Sequence, residues 1–201
     1  MIFRKMSEEE IHHWYRCEMQ EAFLPNEIKP LEDILSMVEA GTYEIYGLFE
    51  NGAEADESHY NLLGYATLWK KPGVPLVLLD YLGVNAEKRN AGIGGKILGF
   101  LKERESCLVL ESEIPVPGDP EDENDIRRRR IEFYKRNGFT PAYIMATCGL
   151  KWQAMLHQVR EHAPEDIMRW HKELYGEGRT DVIVPISQDM EAPLPYWMKR
   201  G

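Results

Sequence analysis

The sequence predicts an α/β fold of the α+β type, with a central, twisted, mixed and mostly antiparallel sheet flanked by helices. Strand-like segments at 43–50, 62–69 and 74–84 follow one another with turns between them, which is typical of an antiparallel meander. A glycine-rich loop, a helical segment and an apolar strand at 107–114 come next. A strand–helix–strand unit of this length predicts a right-handed crossover to a parallel neighbour, so we expect a mixed sheet.

The elements before the sheet are a short β-capable segment at 2–4 and two helices. Ser7 and Glu10 have the spacing of a capping box, and apolar residues recur at helical spacing from there to about Ala22. A second helix is predicted over 31–40, where a glycine follows the last helical residue. Most apolar residues of these helices are therefore expected in the core.

The later elements are indicated by proline, glycine and charge. Asp119 and Pro120 favour an N-cap and a first helical position for a helix over 121–137. The polar, acidic segment 51–61 is interpreted as a hairpin loop. The remaining expected elements are a strand near 143–152, an amphipathic helix over 164–175, a strand over 181–186 and a proline-rich surface tail over 187–201.

Composition limits the classes of function. The 201 residues suit one domain, 1–201, and their formal net charge of −10 disfavours a nucleic-acid partner. The acidity is explained by solubility, and the alternative is a cationic substrate. No apolar run approaches the roughly 20 residues of a membrane helix and no secretory signal is visible, so we expect a cytoplasmic protein without a membrane partner. The cysteines and histidines lack metal-ligand spacing, and no metal is expected.

The stretch 89–96, Arg-Asn-Ala-Gly-Ile-Gly-Gly-Lys, carries the clearest functional signal. Three glycines at the start of a helix leave unpaired N–H groups open to a ligand, and such groups bind phosphate. A Walker loop is excluded because Asn90 stands at the position of its first glycine and Ile97 at that of its Ser/Thr. The dinucleotide fingerprint Gly-x-Gly-x-x-Gly, if it began at Gly92, would require glycine at position 97, so Ile97 excludes this fingerprint as well.

The remaining pattern, Arg-x-x-Gly-x-Gly, resembles the acetyl-CoA loop of the GCN5-related N-acetyltransferase (GNAT) superfamily. The stretch 133–139, Phe-Tyr-Lys-Arg-Asn-Gly-Phe, resembles the second signature of that superfamily, about 40 residues further on. Two motifs in this order are far more specific than either alone. The resemblance covers about 62–146 and implies a single acetyltransferase domain with one parallel strand pair at the acetyl-CoA site.

The resemblance implies acetyl-CoA as the cofactor. Its pyrophosphate would lie on the glycine loop, and its pantetheine arm would pair with the end of the central strand, where the Leu82 N–H faces the thioester carbonyl. Arg127 stands where many members have asparagine; it either reaches a CoA phosphate or belongs to a salt-bridged helix. The residues expected to bind the cofactor are Leu82, Gly83, Val84, Arg89, Asn90, Ala91, Gly92, Ile93, Gly94, Gly95, Lys96, Arg127 and Tyr134.

The expected chemistry is direct attack of an amine on the acetyl thioester, without a covalent enzyme intermediate. Tyr134 matches the tyrosine that these enzymes often use as general acid toward the CoA sulfur, and a phenol of pKa near 10 is protonated at neutral pH. A carboxylate is needed to accept the amine proton. Glu111 and Glu113 share one face near the end of their strand, and Asp80 interrupts an apolar run. We rank Glu111 first, then Asp80, then Glu113; pairing with an arginine of the next helix is the alternative for each.

The resemblance also implies that the first helical pair and its loop line the acceptor pocket, with Phe23, Leu24, Asn26 and Glu27 on the substrate side. The expected function is acetyl-CoA-dependent acetylation of a primary amine, of a small molecule in the first instance. A protein N-terminus or lysine as acceptor, and a catalytically silent acyl-CoA-binding module, are the open alternatives. A sheet edge or the C-terminal region offers a surface for a homodimer.

Overall fold

A computed structural model describes residues 1–23, 28–50 and 61–195 of the protein. The strands in these ranges are β1 (Ile2–Lys5), β2 (Tyr43–Phe49), β3 (Leu62–Trp69), β4 (Val77–Val84), β5 (Cys107–Glu113), β6 (Thr140–Thr147) and β7 (Leu150–Gln158). They are hydrogen-bonded in the order β1-β2-β3-β4-β5-β7-β6, with β4 and β5 as the parallel pair. The predicted fold class, a mixed and mostly antiparallel sheet with helices, is confirmed.

The chain forms two compact units. The first comprises Met1–Pro72 and Leu79–Arg104, and the second Gly73–Leu78 and Glu105–Gly201. β4 therefore begins in the second unit and continues in the first. A single domain over the whole chain stays a prediction.

The first unit contains β1 to β3, most of β4 and the N-terminal helices. Its helices are α1 (Glu8–Trp14), which continues through a π-helical turn (Tyr15–Met19) into α2 (Gln20–Ala22), then α3 (Leu31–Glu39) and α4 (Ile93–Arg104). The predicted capping box is confirmed, because Ser7 Oγ accepts the Glu10 N–H and the Glu10 carboxylate accepts the Ser7 N–H.

An aromatic and aliphatic cluster forms the core of the first unit. Its most deeply buried members are Trp14, Met19, Ile34, Tyr43 and Tyr65. Trp14 and Met19 come from the apolar positions that the helical spacing predicted as core. This cluster packs α1 and α3 against β2 and β3.

The second unit contains β5, β7 and β6, which pair antiparallel in that order, together with α5 (Glu121–Arg136) and α6 (Pro164–Tyr175). The bounds of α6 are those expected from its amphipathic pattern. None of the helices within the described ranges has the length and apolar character that crossing a bilayer requires.

Two predictions for the second unit were wrong in its C-terminal part. The single strand at 143–152 is a hairpin, β6 and β7, whose turn residues Cys148 (φ 54°) and Gly149 (φ 81°) both have left-handed backbone. Cys-Gly lacks the usual Asn-Gly or Asp-Gly signal of such a turn, so the hairpin resembled one apolar run. The segment 181–186 forms one isolated bridge, Ile183 to Ala146. Pro185 has no N–H with which to continue it.

Two element boundaries also differ from expectation. The central strand begins at Val77 instead of residue 74, since Pro75 lacks the N–H that a strand ladder needs. Pro120, not Asp119, is the N-cap residue of α5, and it makes no side-chain cap. The Asp119 carboxylate instead accepts from Arg127 Nη1 at 2.6 Å. The predicted hairpin loop at 51–61 lies, except for its last residue, outside the described residues.

Asp181 is a buried charge with matched partners in the second unit. Its side chain is 0% exposed and accepts from Arg179 Nε and from the Cys148 N–H, each at 2.9 Å. Burial alone would raise the pKa of Asp181, but these hydrogen bonds outweigh it and hold the pKa below its usual range.

Replacing this carboxylate should destabilise the protein. We expect Asp181→Asn to lower the free energy of unfolding by roughly 3 kcal/mol at pH 7, because the buried negative charge that faces the Arg179 guanidinium is removed. Because the pKa of Asp181 is lower in the folded state, its ionised carboxylate stabilises the protein at pH values above the unfolded-state pKa, near 3.9. This contribution is lost as the pH falls through the lower pKa of the folded state. Urea unfolding should therefore show a smaller difference at pH 3 than at pH 7. Asp166→Asn, in an exposed pair, is the control and should cost less than about 1 kcal/mol. An equal difference at both pH values would contradict this account.

Candidate functional site

The glycine loop joins the end of β4 to α4 within the first unit. A short 3₁₀ turn (Ala86–Lys88) follows the strand, and the Asn85 side chain caps it by accepting the Glu87 N–H at 3.1 Å. Asn90 (φ 64°) and Gly92 (φ 74°) then adopt left-handed backbone immediately before the helix. Backbone that alternates between the two hands points successive N–H groups into one concavity, which is a geometry that binds anions.

The start of α4 presents N–H groups without intrahelical acceptors. Lys96 is the first residue of the helix whose N–H reaches a backbone carbonyl, that of Gly92 at 3.1 Å. The N–H groups of Gly92 to Gly95 precede it and have no acceptor within the helix. No acidic side chain lies in this first turn, while the exposed Arg89 and Lys96 add positive charge. These residues fit a phosphate group, as the glycine pattern predicted.

The end of β4 is shaped by a tyrosine of β3. A Cβ atom on Gly83 would lie 2.1 Å from Cζ of Tyr65, so no larger residue fits there without displacement of the ring. The Tyr65 hydroxyl is buried and, among the described residues, has no hydrogen-bond partner. Burial raises the pKa of this hydroxyl, which therefore keeps its proton. An unpaired polar atom beside Gly83 fits the expectation that this strand end binds a ligand.

Asp80, on the same strand, is bonded by residues of two other segments. Both carboxylate oxygens accept from Lys29 Nζ, at 2.8 and 2.7 Å, and Oδ2 also accepts from the Tyr43 hydroxyl. The Asp80 side chain is 11% exposed. Its partner is therefore a lysine from the segment before α3, not an arginine.

The substrate-side residues expected from the resemblance are only partly described. The Phe23 ring packs edge-on against Tyr81, with 5.0 Å between centroids. Leu24, Asn26 and Glu27 lie outside the described residues. Phe23 thus adjoins the strand that carries Asp80, and its contact with substrate stays a prediction.

Glu111 lies in a polar cluster of the second unit. Its Oε1 accepts from the Tyr175 hydroxyl at 2.7 Å and lies 3.0 Å from Nε2 of the fully buried His171, without hydrogen-bond geometry to that nitrogen. His171 Nδ1 is 2.8 Å from the Tyr143 hydroxyl. The sequence-based prediction did not include His171 and Tyr175. The feature that could have identified them is the presence of two polar residues on the inner face of the amphipathic α6.

Glu113 and Arg127 are paired with each other and with further charges. Arg127 Nη1 lies 2.6 Å from Asp119 and its Nε 3.6 Å from Glu113, which also accepts from Arg130 at 3.2 Å. Carboxylates thus surround Arg127, and the salt-bridged-helix interpretation accounts for this part of the arginine run. Roles for Arg127 in phosphate binding and for Glu113 as a base stay predictions.

Tyr134 lies in the last turns of α5, also in the second unit. Its half-buried ring makes edge contacts with Phe133 and Phe139, at centroid distances of 5.2 and 6.3 Å. Its hydroxyl makes no hydrogen bond within the described part of the chain. Burial raises the pKa of Tyr134, partly offset by the charge of Arg130, so the phenol is protonated at neutral pH. A protonated, uncommitted hydroxyl has the form that a general acid requires.

Within the described ranges, no group of three or more His, Cys, Asp or Glu side chains is arranged to hold a metal ion.

Solved structures with the same architecture carry acetyltransferase descriptions. The first, "Putative acetyltransferase from GNAT family from Bacteroides thetaiotaomicron", has a TM-score of 0.64 and 24% identity and covers 88% of this chain and 99% of that chain. The fold is that of the GNAT acetyltransferases. An aminoglycoside 6'-N-acetyltransferase complexed with coenzyme A has a TM-score of 0.56 at 12% identity, covering 81% of this chain and 99% of that one. A spermidine N-acetyltransferase mutant from Vibrio cholerae has a TM-score of 0.56 at 8% identity, covering 79% and 95%.

Sequence comparison gives a shorter match. The Bacillus subtilis (strain 168) protein named "Putative acetyltransferase YjbC" is 32% identical over 88 residues, which are 43% of this chain and 40% of that protein. The chain therefore matches about two fifths of the length of this curated relative. No protein-family profile matches the chain. The resemblance to GNAT proteins that two sequence motifs indicated is confirmed for the fold.

Proposed function

We propose that the chain is an acetyl-CoA-dependent N-acetyltransferase that acetylates a primary amine of a small molecule. The observation that carries this proposal is the set of N–H groups from Gly92 to Gly95 at the start of α4, placed after β4 in a GNAT fold. Structural neighbours named aminoglycoside and spermidine N-acetyltransferases support a small amine as acceptor. A cytoplasmic location is part of the same proposal.

The proposed roles follow from the chemistry of each group. Acetyl-CoA supplies the reactive thioester. The N–H groups of the glycine loop, with Arg89 and Lys96, hold its pyrophosphate, and the Leu82 N–H orients the acetyl carbonyl. Tyr134 keeps a proton on Oη and is the proposed donor to the leaving thiolate. A carboxylate accepts the amine proton, and its candidates are Glu111, Asp80 and Glu113.

Binding and turnover should be tested separately. Coenzyme A at about 100 times its dissociation constant adds roughly 2.7 kcal/mol of stability and should raise Tm by about 5–10 °C. Free thiol released from acetyl-CoA should then rise with one or more members of a panel of small amines.

The pattern of results separates the alternatives. Absence of any Tm shift with coenzyme A or acetyl-CoA contradicts the proposal. A shift without thiol release from any amine or peptide indicates a silent acyl-CoA-binding module. Release only with peptides bearing a free N-terminus or lysine indicates a protein acceptor.

A further inference from the structure

The Lys29 ammonium group in the first unit occupies a site with the composition of an ammonium receptor. Its Nζ lies 2.8 and 2.7 Å from the two oxygens of Asp80, so one carboxylate binds it in bidentate fashion. The same nitrogen lies 5.3 Å from the ring centroid of Trp69 and 5.0 Å from that of Tyr81. A carboxylate combined with two aromatic rings stabilises a cation through charge and through the ring quadrupoles.

The Asp80 carboxylate of this receptor is held by contacts that do not involve Lys29. The buried Tyr43 hydroxyl bonds to Asp80 Oδ2 and lies 2.8 Å from Thr67 Oγ1, which accepts the Tyr81 N–H at 2.9 Å. Burial and the Asp80 charge raise the pKa of Tyr43, so its hydroxyl stays protonated and donates to the carboxylate. The carboxylate is therefore oriented whether or not an ammonium group is present.

The backbone of Lys29 is held by contacts separate from those of its ammonium group. Its N–H donates to the Tyr81 hydroxyl at 3.2 Å, and its carbonyl accepts from the Tyr15 hydroxyl at 3.0 Å. The Lys29 side chain is 26% exposed. These backbone contacts do not depend on the ammonium group, so exchange of that group for another cation would leave them in place.

We propose that Asp80, Trp69 and Tyr81 bind the ammonium group of the acceptor, and that Lys29 occupies this site until the substrate displaces it. The inference rests on the proposed function because it concerns the acceptor of that reaction. Asp80 lies two residues before Leu82, where the strand end assigned to the cofactor begins. It specifies the substrate class: a primary amine that carries positive charge in solution. Lys29 then acts as an internal competitor that weakens acceptor binding.

Removing the competitor should tighten binding of a simple diamine. If Lys29 fills the site about nine-tenths of the time, Lys29→Met increases the affinity for 1,5-diaminopentane about tenfold. Calorimetric titration without acetyl-CoA measures this directly, with 1,5-pentanediol as the neutral probe. Lys172→Met, which removes an exposed lysine of α6, should leave the affinity unchanged, and Asp80→Asn should abolish diamine binding.

A second measurement uses the wild-type protein, so it holds even if a variant folds poorly. Brief labelling with acetic anhydride, read by mass spectrometry, should modify Lys29 several-fold more when 1,5-diaminopentane is bound, with Lys172 unaffected. Three results would each overturn the inference and make Lys29 a structural counter-ion. The first is diamine binding that is no tighter in Lys29→Met, the second is diamine binding that survives Asp80→Asn, and the third is unchanged labelling of Lys29. The Tm shift with coenzyme A, recorded on the same proteins, reports on the proposed function alone.

Discussion

Gly92→Asp should weaken coenzyme A binding at least about a hundredfold, while Gly92→Asn retains most of it. Gly92 is the residue before the first turn of α4, next to the N–H groups assigned to the pyrophosphate. The added carboxylate would place a negative charge beside these donors and repel the pyrophosphate, whereas asparagine adds no charge. A hundredfold change corresponds to about 2.7 kcal/mol, which one close like-charge contact near a protein surface can supply. Calorimetric titration of coenzyme A into both variants measures the difference.

Asparagine is a close control for this change. Both side chains have the same shape, and both tolerate left-handed backbone better than most residues, which matters because φ at Gly92 is 74°. A Cβ atom there meets nothing within 4 Å, so crowding does not separate the two variants. Equal losses in both variants would point to backbone strain, and binding that survives in both would place the pyrophosphate elsewhere.

The glycine loop was predictable because its signal is local. Three glycines, the preceding apolar strand and the following helical periodicity lie within one short segment, and each constrains the backbone at its own position. The same holds for β3 and α6, whose expected bounds match the structure. The hairpin at Cys148 and Gly149 was missed because its turn lacks the usual residues and its two strands form one apolar run.

The surroundings of the carboxylates proposed as general bases were not predictable, because they arise from contacts between residues that are distant in sequence. Asp80 is reached by Lys29 and Tyr43, which lie on the segment before α3 and on β2. Glu111 is reached by Tyr175, 64 positions away. Strand alternation placed each carboxylate on a face of its strand, but nothing in the local pattern indicates which side chain packs against that face. Ranking the bases from sequence therefore rested on position alone.

Tyr134→Phe should lower kcat about a hundredfold and leave coenzyme A affinity unchanged. A positioned general acid contributes roughly 10²–10⁴ to a rate, and we expect the lower end because a thiolate is a modest base. Phenylalanine keeps the ring contacts with Phe133 and Phe139, and the lost hydroxyl makes no hydrogen bond within the described residues. Steady-state thiol release and calorimetric titration, run on the same preparation, separate the two effects.

The pH dependence distinguishes an acid from a residue that only packs. A general acid works while protonated, so its contribution is lost as pH rises through its pKa. Burial raises the pKa of Tyr134, which places the fall in wild-type kcat above the ordinary phenol value near 10. In Tyr134→Phe that fall should be absent, because the group that titrates is gone. A variant whose kcat is reduced but still falls over the same pH range would make Tyr134 a packing residue and assign the proton to another group.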